Sequence, residues 1–351
     1  MGTGTLNLES ASEILAAAKI SATPLALTPL TGGANNRVFR LDLEHAPSLI
    51  LKSYFQHPQD LRPRLKSEFE FLSFAWAEGI RCIPKPLYQD PTQNLALYTH
   101  INAPLATSDH STLSFIEAAA DFLLDLNRKK HSGKHLSYAS EACLKISDYF
   151  EAVEKRLYQL LCVSQETLVE KQLHQFLQHQ LLPQWNQIKE TTCKTALQAL
   201  SPDPSDLILS PSDFGLHNVL VSTTNHYTFI DFEYAGWDDP VKTICDFFLQ
   251  PRVPISCAYF EYFSKLTVSL TPNPQKTLER TKLLFPICKI KWCCMILNVF
   301  LHTGKARREF ANVDLSAAQA QQLVLAQSYL SDYDRFRRKR FPVLEIADDR
   351  I

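Results

Sequence analysis

The sequence has little excess charge of either sign. Its 36 Lys and Arg residues are offset by 37 Asp and Glu residues, which gives a formal net charge of −1 at pH 7. Without a broad positive potential the chain has no general attraction for nucleic acid or for an anionic membrane, so any electrostatic recognition must be local. A small-molecule partner fits this charge balance better than either of those.

Paired cysteines and long apolar runs are also missing. The nine cysteines form no C-x-x-C pair and no signal peptide opens the chain, a pattern that favours a reduced, cytoplasmic protein. The most apolar stretch, Trp292 to Leu301, is about half as long as the roughly 20 residues that a membrane helix needs. We expect it to be a buried helix of the core.

The first hundred residues have the pattern of a small β-sheet. Strands are predicted at 25–30, 37–43 and 48–54, followed by two more near 83–87 and 94–101.

The loop between the first two of these strands contains Gly32 and Gly33. Two glycines let backbone N–H groups approach phosphate oxygens without a side chain in the way, and Asn35 or Asn36 could add a donor. Taken alone, such a loop is more often only a turn. Together with the acidic motif further along the chain, Gly32, Gly33 and Asn35 are expected to bind the nucleotide.

Lys52 ends the third strand among apolar neighbours, so its ammonium group could reach inward to nucleotide phosphates. A solvated lysine at a sheet edge is the alternative. Kinases pair such a strand lysine with a helix glutamate, and the helical pattern at 65–78 offers Glu68 and Glu70. Glu68 flanks the apolar stripe of this helix, whereas Glu70 lies farther round it, so we expect Lys52 to pair with Glu68.

Residues 206–234 join short apolar runs to a polar loop and an acidic ending. Asp213 and Asn218 stand five apart in the loop, and Asp231 follows an apolar run that we expect to form a hairpin with the residues after Asn218. Mg²⁺ usually takes one or two protein carboxylates plus phosphate oxygens, so Asn218 and Asp231 suffice as ligands and Asp213 is left for an incoming hydroxyl. The alternative is that these residues only cap turns in an ordinary hairpin.

The motifs SDFGLHN and IDFEYAGWDDP, with Asp246 further on, resemble the aminoglycoside phosphotransferase and choline kinase family of small-molecule kinases. The resemblance implies an α+β, two-lobed protein-kinase-like fold: a small antiparallel β-sheet with one main helix, and a larger, mostly helical lobe. It places a nucleotide-binding lobe at 1–101, and a helical lobe with the catalytic loop and acceptor site at 102–351. It also implies an adenine-binding hinge near Tyr98 to Ile101.

The second lobe is predicted to be mostly helical. Helical patterns lie at 111–129, 144–163, 166–191 with a break at Pro183, 256–266, 273–303 and 314–332.

The sequence also suggests roles for four further residues in or near the motif. Glu233 and Asp238, with two aromatic residues between them, put negative charge and aromatic surface beside the site, which suits an amine or sugar acceptor. We therefore expect both to bind substrate. Asp246 is expected to brace the catalytic loop through hydrogen bonds, and His217 is interpreted as structural because a hard magnesium site prefers oxygen ligands.

The sequence thus predicts an enzyme that moves the γ-phosphoryl group of Mg-ATP to a hydroxyl of an aminoglycoside-like molecule, an amino alcohol or a sugar. Because the family usually reads His-Gly-Asp where this chain has Pro211-Ser212-Asp213, a nucleotide-binding regulator that kept the fold and lost the chemistry is the alternative. A dinucleotide-binding dehydrogenase is disfavoured, since Gly32 and Gly33 open into a strand where that fold needs a helix.

Overall fold

The computed structural model describes residues 6–30, 36–193, 200–310 and 315–338. Its first part is a five-stranded antiparallel sheet with the strand order β1-β2-β3-β5-β4. The strands are β1 (Pro24–Leu30), β2 (Arg37–Leu43), β3 (Ala46–Ser53), β4 (Pro86–Asp90) and β5 (Leu95–Thr99). The sheet expected from the strand pattern is therefore present. The predicted lobe boundary at residue 101 falls just after β5 and stays a prediction.

Helix α1 (Leu8–Ala17) covers one face of this sheet. It begins with a capping box, in which the Asn7 and Ser10 side chains each accept a backbone N–H of the other residue. Alternate residues of β2, β3 and β5 face it, because side chains on a strand point to opposite faces in turn. The resulting small core contains Ala11, Ile14, Leu15, Leu41, Leu43, Leu49, Leu51, Leu95 and Leu97.

Helix α2 (Arg64–Ala77), between β3 and β4, belongs to a second and much larger core. Its apolar stripe is buried together with residues of the helical lobe, and the Phe71 ring lies 5.2 Å from the Phe232 ring. Tyr98 of β5 is part of the same cluster. The hydrophobic interior therefore runs without a break from α2 into the second lobe.

The second lobe is mainly helical, as predicted. Its helices are α3 (Leu113–Arg128), α4 (Ile146–Leu161), α5 (Leu168–Phe176), α6 (Leu182–Cys193), α7 (Pro240–Leu249), α8 (Phe260–Val268), α9 (Pro274–Ile296), α10 (His302–Phe310) and α11 (Leu315–Arg338). A π-helical turn at Leu177–Leu181 joins α5 to α6. The helical backbone is continuous through this turn, where the Leu182 N–H donates to the Leu177 carbonyl oxygen five residues earlier, and Pro183 follows directly. The predicted break at Pro183 therefore takes the form of a π-helical turn.

The expected buried helix is longer than its most apolar stretch. Residues Pro274–Phe300 are long and apolar enough to cross a membrane by length and composition, but 78% of the apolar 18-residue window within them is buried inside the protein. Burial on this scale is that of a core helix, and α9 contacts α4, α7, α8 and α11.

Two pairs of short strands frame the polar loop. Strand β6 (Ile208–Ser210) pairs antiparallel with β9 (Gly236–Asp238), and β7 (Val219–Val221) forms the expected hairpin with β8 (Tyr227–Phe229). These pairings bring the loop before β7 next to the residues that follow β8.

Gly236 is required where β9 meets the segment before α4. Its φ is +157°, and a Cβ at this position would lie 2.6 Å from the Ala139 nitrogen and closer still to the Ser137 oxygen. The approach lets the Trp237 N–H donate to the Ser137 carbonyl oxygen and the Ala139 N–H donate to the Trp237 carbonyl oxygen, both at 3.0 Å. Segment 137–139 is thus fixed beside the end of the acidic motif.

Candidate functional site

The polar loop is held where it leaves β6. Asn127 of α3 clamps β6, since its amide accepts from the Leu209 N–H at 2.8 Å and donates to the Leu209 carbonyl oxygen at 3.0 Å. At the start of the loop the Ser210 hydroxyl accepts from the Ser212 N–H at 3.1 Å and from the Thr243 hydroxyl of α7 at 2.8 Å. The loop is therefore fixed to two helices of the core.

Asp246 does not form the expected brace. Its carboxylate accepts from the Lys291 ammonium group at 2.6 and 3.0 Å and from the Trp292 indole N–H at 2.7 Å. Because both partners lie on α9, Asp246 ties α7 to α9. The contact from α7 to the loop is made by Thr243 instead.

Asp213 lies on the open side of this loop with 30% of its side chain exposed. His217 Nε2 lies 3.1 Å from Asp213 Oδ1, and the Asn218 amide donates to the Asp213 carbonyl oxygen at 2.9 Å. Burial alone would raise the pKa of Asp213, but the His217 imidazole and the Arg252 guanidinium outweigh it and hold that pKa below its ordinary value. Asp213 is therefore an ionised carboxylate near neutral pH.

Asn218 and Asp231 are brought together by the hairpin register. The Ile230 N–H donates to the Asn218 carbonyl oxygen at 3.0 Å, which places Asp231 one residue beyond this bond. Asp231 has a φ of +68°, and 34% of its side chain is exposed. Asp tolerates this left-handed conformation, so the backbone can turn here and present the carboxylate to the cleft.

Lys52 joins the sheet to the loop residues. Its ammonium group donates to Glu68 Oε2 at 2.6 Å and to Asp231 Oδ1 at 2.7 Å, so the expected contact with Glu68 rather than Glu70 is present. Burial alone would lower the pKa of Lys52, but Asp231, Glu68 and Glu233 surround it and raise that pKa above its ordinary value. A charged lysine thus bridges the two lobes.

Glu68 is itself held in place from several sides. The Tyr54 hydroxyl lies 2.9 Å from Oε2 and 2.7 Å from the Tyr98 hydroxyl, and the Phe232 N–H donates to Oε1 at 3.3 Å. Burial raises the pKa of both tyrosines, which keeps them neutral. The neutral Tyr54 hydroxyl donates to Glu68 and contacts the Tyr98 hydroxyl, so the carboxylate that orients Lys52 is held by Lys52, Tyr54 and the Phe232 N–H.

The expectation that Glu233 binds substrate conflicts with its position. Only 1% of Glu233 is exposed; Oε2 accepts from the Asn36 amide at 2.6 Å and lies 3.4 Å from Arg64 Nε. The carboxylate ties the start of β2 and the start of α2 to the motif. Gly32, Gly33 and Asn35 lie outside the described residues, whereas Asn36 uses its amide for Glu233 and for the Phe55 N–H.

The expectation that Asp238 binds substrate is corrected by its burial. Asp238 is 0% exposed; Oδ1 accepts from the Cys143 and Asp239 N–H groups, both at 2.9 Å, and Oδ2 accepts from the Lys242 ammonium group at 2.7 Å. Both oxygens are used inside the protein, so Asp238 fixes the chain before α4 against α7. A buried, fully bonded carboxylate of this kind has no free edge for an acceptor.

Sequence reasoning also missed two contributors. Asn127 carried one faint signal, a polar residue on the apolar face of a helix. His217 was set aside because only metal binding was weighed for it, although its position four residues after Asp213 was open to a contact with that carboxylate.

Comparison with known proteins gives one family match. The model of the phosphotransferase enzyme family matches residues 26–247, which is more than half of the chain. A search of curated proteins gives no significant match.

Solved structures match the whole fold at low sequence identity. A spectinomycin phosphotransferase, solved with ADP and spectinomycin, shares 13% identity at a TM-score of 0.62 over 92% of this chain and 98% of that one. A choline/ethanolamine kinase family protein from Mesorhizobium loti shares 17% identity at 0.59, over 94% and 96%. A choline kinase from Streptococcus pneumoniae shares 16% at 0.58, over 93% and 100%. The fold is therefore the two-lobed, protein-kinase-like α+β fold.

Proposed function

The chain belongs to the phosphotransferase enzyme family, and from that premise we propose that it moves the γ-phosphoryl group of ATP to a hydroxyl of a small molecule. One observation carries the proposal: Lys52 of the sheet is hydrogen-bonded to Asp231, while Asp231 is held beside Asn218 and Asp213 by the hairpin. A lysine, two acidic groups and an amide at one cleft are the parts that phosphoryl transfer needs.

Asn218 and Asp231 suit Mg²⁺ by their donor atoms. The Asn218 amide nitrogen is used by the Asp213 carbonyl oxygen, which leaves its side-chain oxygen as a ligand. Lys52 occupies Oδ1 of Asp231 and leaves Oδ2. One amide oxygen and one carboxylate oxygen match the few protein ligands that Mg²⁺ takes beside phosphates and water. When bound, the ion would neutralise charge on the transferred phosphoryl group.

Asp213 is proposed as the residue that orients the acceptor hydroxyl and accepts its proton. Its lowered pKa keeps it ionised, and its 30% exposed side chain can be reached from the cleft. Lys52 would meet the nucleotide phosphates and Glu68 would align Lys52. The loop with Gly32, Gly33 and Asn35 is proposed to cover the phosphates. In such a transfer the protein mainly positions the reactants and offsets charge.

Replacement of the proposed base is the direct test. We expect Asp213→Asn to bind Mg-ATP nearly as the natural protein does, because the nucleotide contacts are left in place. Turnover should fall by roughly 10²–10⁴-fold, the usual contribution of a positioned base. Binding is measured by Mg-ATP-dependent thermal stabilisation, and turnover by ADP release with a panel of hydroxyl metabolites. Unchanged turnover would remove the base assignment.

A nucleotide-binding regulator of the same fold is the second candidate, and Pro211 in place of the family histidine is the observation that favours it. Against it stand the Thr243 contact that holds the loop without that histidine and the retention of Asp213, Asn218 and Asp231. Thermal stabilisation by Mg-ATP with neither ADP release nor transfer in the panel would favour the regulator.

A further inference from the structure

A closed set of buried polar contacts lies where the sheet, α2 and the acidic motif meet. The Phe55 N–H donates to Asn36 Oδ1 at 3.1 Å, and the Asn36 amide donates to Glu233 Oε2 at 2.6 Å. Arg64 closes the set, because its Nε lies 3.4 Å from the same Glu233 oxygen and its Nη1 donates to the Phe55 carbonyl oxygen at 3.2 Å. We call these four residues and their contacts the Asn36 junction.

The Asn36 junction is sealed from water. Each of its members is between 1% and 7% exposed. Asp60 accepts from Arg64 Nη2 at 2.6 Å and so fixes the guanidinium group from another side. A buried polar group that loses its partner is costly, so a closed set of such contacts holds its members in one arrangement.

The three segments that meet at the junction also carry the charged residues of the proposed nucleotide site. Each of these residues is close along the chain to a member of the junction: Lys52 three residues before Phe55, Glu68 four residues after Arg64, and Asp231 two residues before Glu233. Lys52 bonds both Glu68 and Asp231 directly. The junction is therefore a second connection between the same three segments.

The direct connection is the one that a nucleotide would weaken. On the proposed function, Lys52 would meet phosphate oxygens and Asp231 would bind Mg²⁺. Phosphate oxygens attract the ammonium group away from Asp231, and Mg²⁺ competes with it for the negative charge of the carboxylate. The Lys52–Asp231 bond of 2.7 Å should therefore be weakest in the nucleotide complex. The Asn36 junction contains neither residue and does not meet this competition.

We propose that the Asn36 junction is a positioning device, which keeps its three segments in place relative to one another while the nucleotide is bound. Asn36 and Glu233 are its positioning residues, because their hydrogen bond joins the sheet to the acidic motif. The inference rests on the proposed function. It gives Glu233 a task in alignment, where the sequence alone suggested contact with the substrate.

The affinity of the folded protein for Mg-ATP distinguishes positioning from support of the fold alone. A contact that only supports the fold contributes to the free energy of unfolding, and its loss leaves the Kd of the folded protein unchanged. A contact that aligns the site contributes more in the complex than in the free protein, so its loss raises that Kd.

Removal of the Asn36 amide is the first test. Asn36→Ala deletes both side-chain bonds of Asn36. We expect the Kd for Mg-ATP, measured by titration calorimetry well below the unfolding temperature, to rise about five-fold or more, the lower end of typical coupling between two sites.

Asn94→Gly is the matched control. The Asn94 amide donates to the Tyr54 carbonyl oxygen at 2.7 Å, one residue before Phe55, and this bond lies within the first lobe. Glycine keeps the φ of 57° at this position without strain. The variant therefore loses an amide bond to the neighbouring residue, and its Kd for Mg-ATP should stay nearly unchanged.

Exchange of donor and acceptor tests the Asn36–Glu233 bond itself. Asn36→Asp places a second carboxylate against Glu233 and should weaken Mg-ATP binding at least as much as Asn36→Ala. Adding Glu233→Gln supplies an amide that can donate to this carboxylate, so the double variant should bind Mg-ATP several-fold better than Asn36→Asp alone.

Glu233→Gln alone guards against a variant that does not fold. It keeps the shape of the side chain and an oxygen that can accept from Asn36, but the hydrogen bond loses its charge. The Kd for Mg-ATP should rise by a smaller factor than in Asn36→Ala, about two-fold or more. The unfolding transition shows whether each variant is folded, and Glu233→Gln decides if Asn36→Ala is not.

The outcomes separate this inference from the proposed function. A Kd for Mg-ATP that is unchanged in folded Asn36→Ala or in Glu233→Gln overturns the inference and leaves the proposed function in place. An equal rise in Asn94→Gly also overturns it, as does a double variant that binds no better than Asn36→Asp. Failure of the natural protein to bind Mg-ATP would instead remove the proposed function, and this inference with it.

Discussion

At the scale of single residues, the site depends on one lysine that is shared by two carboxylates. Lys52 is 6% exposed and bonds Glu68 and Asp231 at the same time. A buried ammonium group is costly unless it is paired. Glu68 is fixed by the Tyr54 hydroxyl and the Phe232 N–H, and it therefore sets the orientation of Lys52. Lys52 in turn aligns Asp231.

The Lys52–Glu68 contact can be tested by two matched substitutions on the same helix. Glu68→Gln keeps the shape of the side chain and removes its charge, so Lys52 loses its fixed partner. We expect kcat/KM for ATP to fall about ten-fold or more, equivalent to roughly 1.4 kcal/mol of transition-state stabilisation. Glu70→Gln on the same helix, where Glu70 lies 4.0 Å from Lys66, should have little effect. Equal losses in both variants would contradict the assignment.

His217 gives a pH-dependent prediction. Its contact with Asp213 favours the ionised carboxylate and lowers the pKa of Asp213, so His217→Leu should raise that pKa. Asp213 must be ionised to accept a proton, and the acidic limb of the kcat/KM profile should therefore move to higher pH. At higher pH the activity should recover.

A purely structural role for His217 would lower activity by the same factor at every pH, and that result would exclude the proposed effect. His179→Leu, at an exposed histidine of the π-helical turn, serves as the control.

At the scale of elements, local pattern explains what the sequence could predict. The β7–β8 hairpin and the Glu68 position follow from periods of two and of 3.6 residues, which depend only on near neighbours. The burial of Glu233 and Asp238 follows from Asn36, Arg64, Cys143 and Lys242, most of which are distant in sequence. From the sequence alone, acidic residues next to a motif are expected to be exposed, because the long-range contacts that bury them are not visible in it.

Gly236 allows a test of how closely two elements must approach. Gly236→Ala adds a methyl group against the backbone of segment 137–139 as well as backbone strain, so we expect a loss of about 3 kcal/mol or more in the free energy of unfolding. Gly79 is the matched control: its φ is +89°, but a Cβ there meets nothing within 4 Å. Gly79→Ala should therefore cost only the strain, about 1 kcal/mol. Equal losses in denaturant unfolding would show that the approach is not tight.

At the scale of the whole molecule, the two lobes share their interior. Leu65, Phe71 and Phe74 of α2 belong to the same buried cluster as the helices of the second lobe, and the outer face of the sheet has a separate, smaller core. A division into lobes is visible in the sequence as a change from strand to helix patterns. The shared core is not, because it depends on which face of α2 meets which helix.

This arrangement predicts one main unfolding transition in calorimetry, since α2 cannot leave the shared core without exposing the interior of the second lobe. At a concentration of a hundred times its Kd, Mg-ATP should raise the free energy of unfolding by about 2.7 kcal/mol. The whole transition should then shift to a higher temperature. Phe71→Ala should destabilise the protein by about 3–5 kcal/mol, whereas Leu61→Ala, at a side chain that is 88% exposed, should change stability by less than about 0.5 kcal/mol. Two well-separated transitions would contradict a shared core.

The position of α2 has a consequence for regulation. One face of this helix carries the carboxylate that orients Lys52, and another is sealed under Phe232, so it cannot swing outward without opening the middle of the protein. We therefore expect the Lys52–Glu68 contact to be formed with or without bound nucleotide. On the proposed function, the rate of transfer would then follow the supply of the two substrates and the amount of protein made.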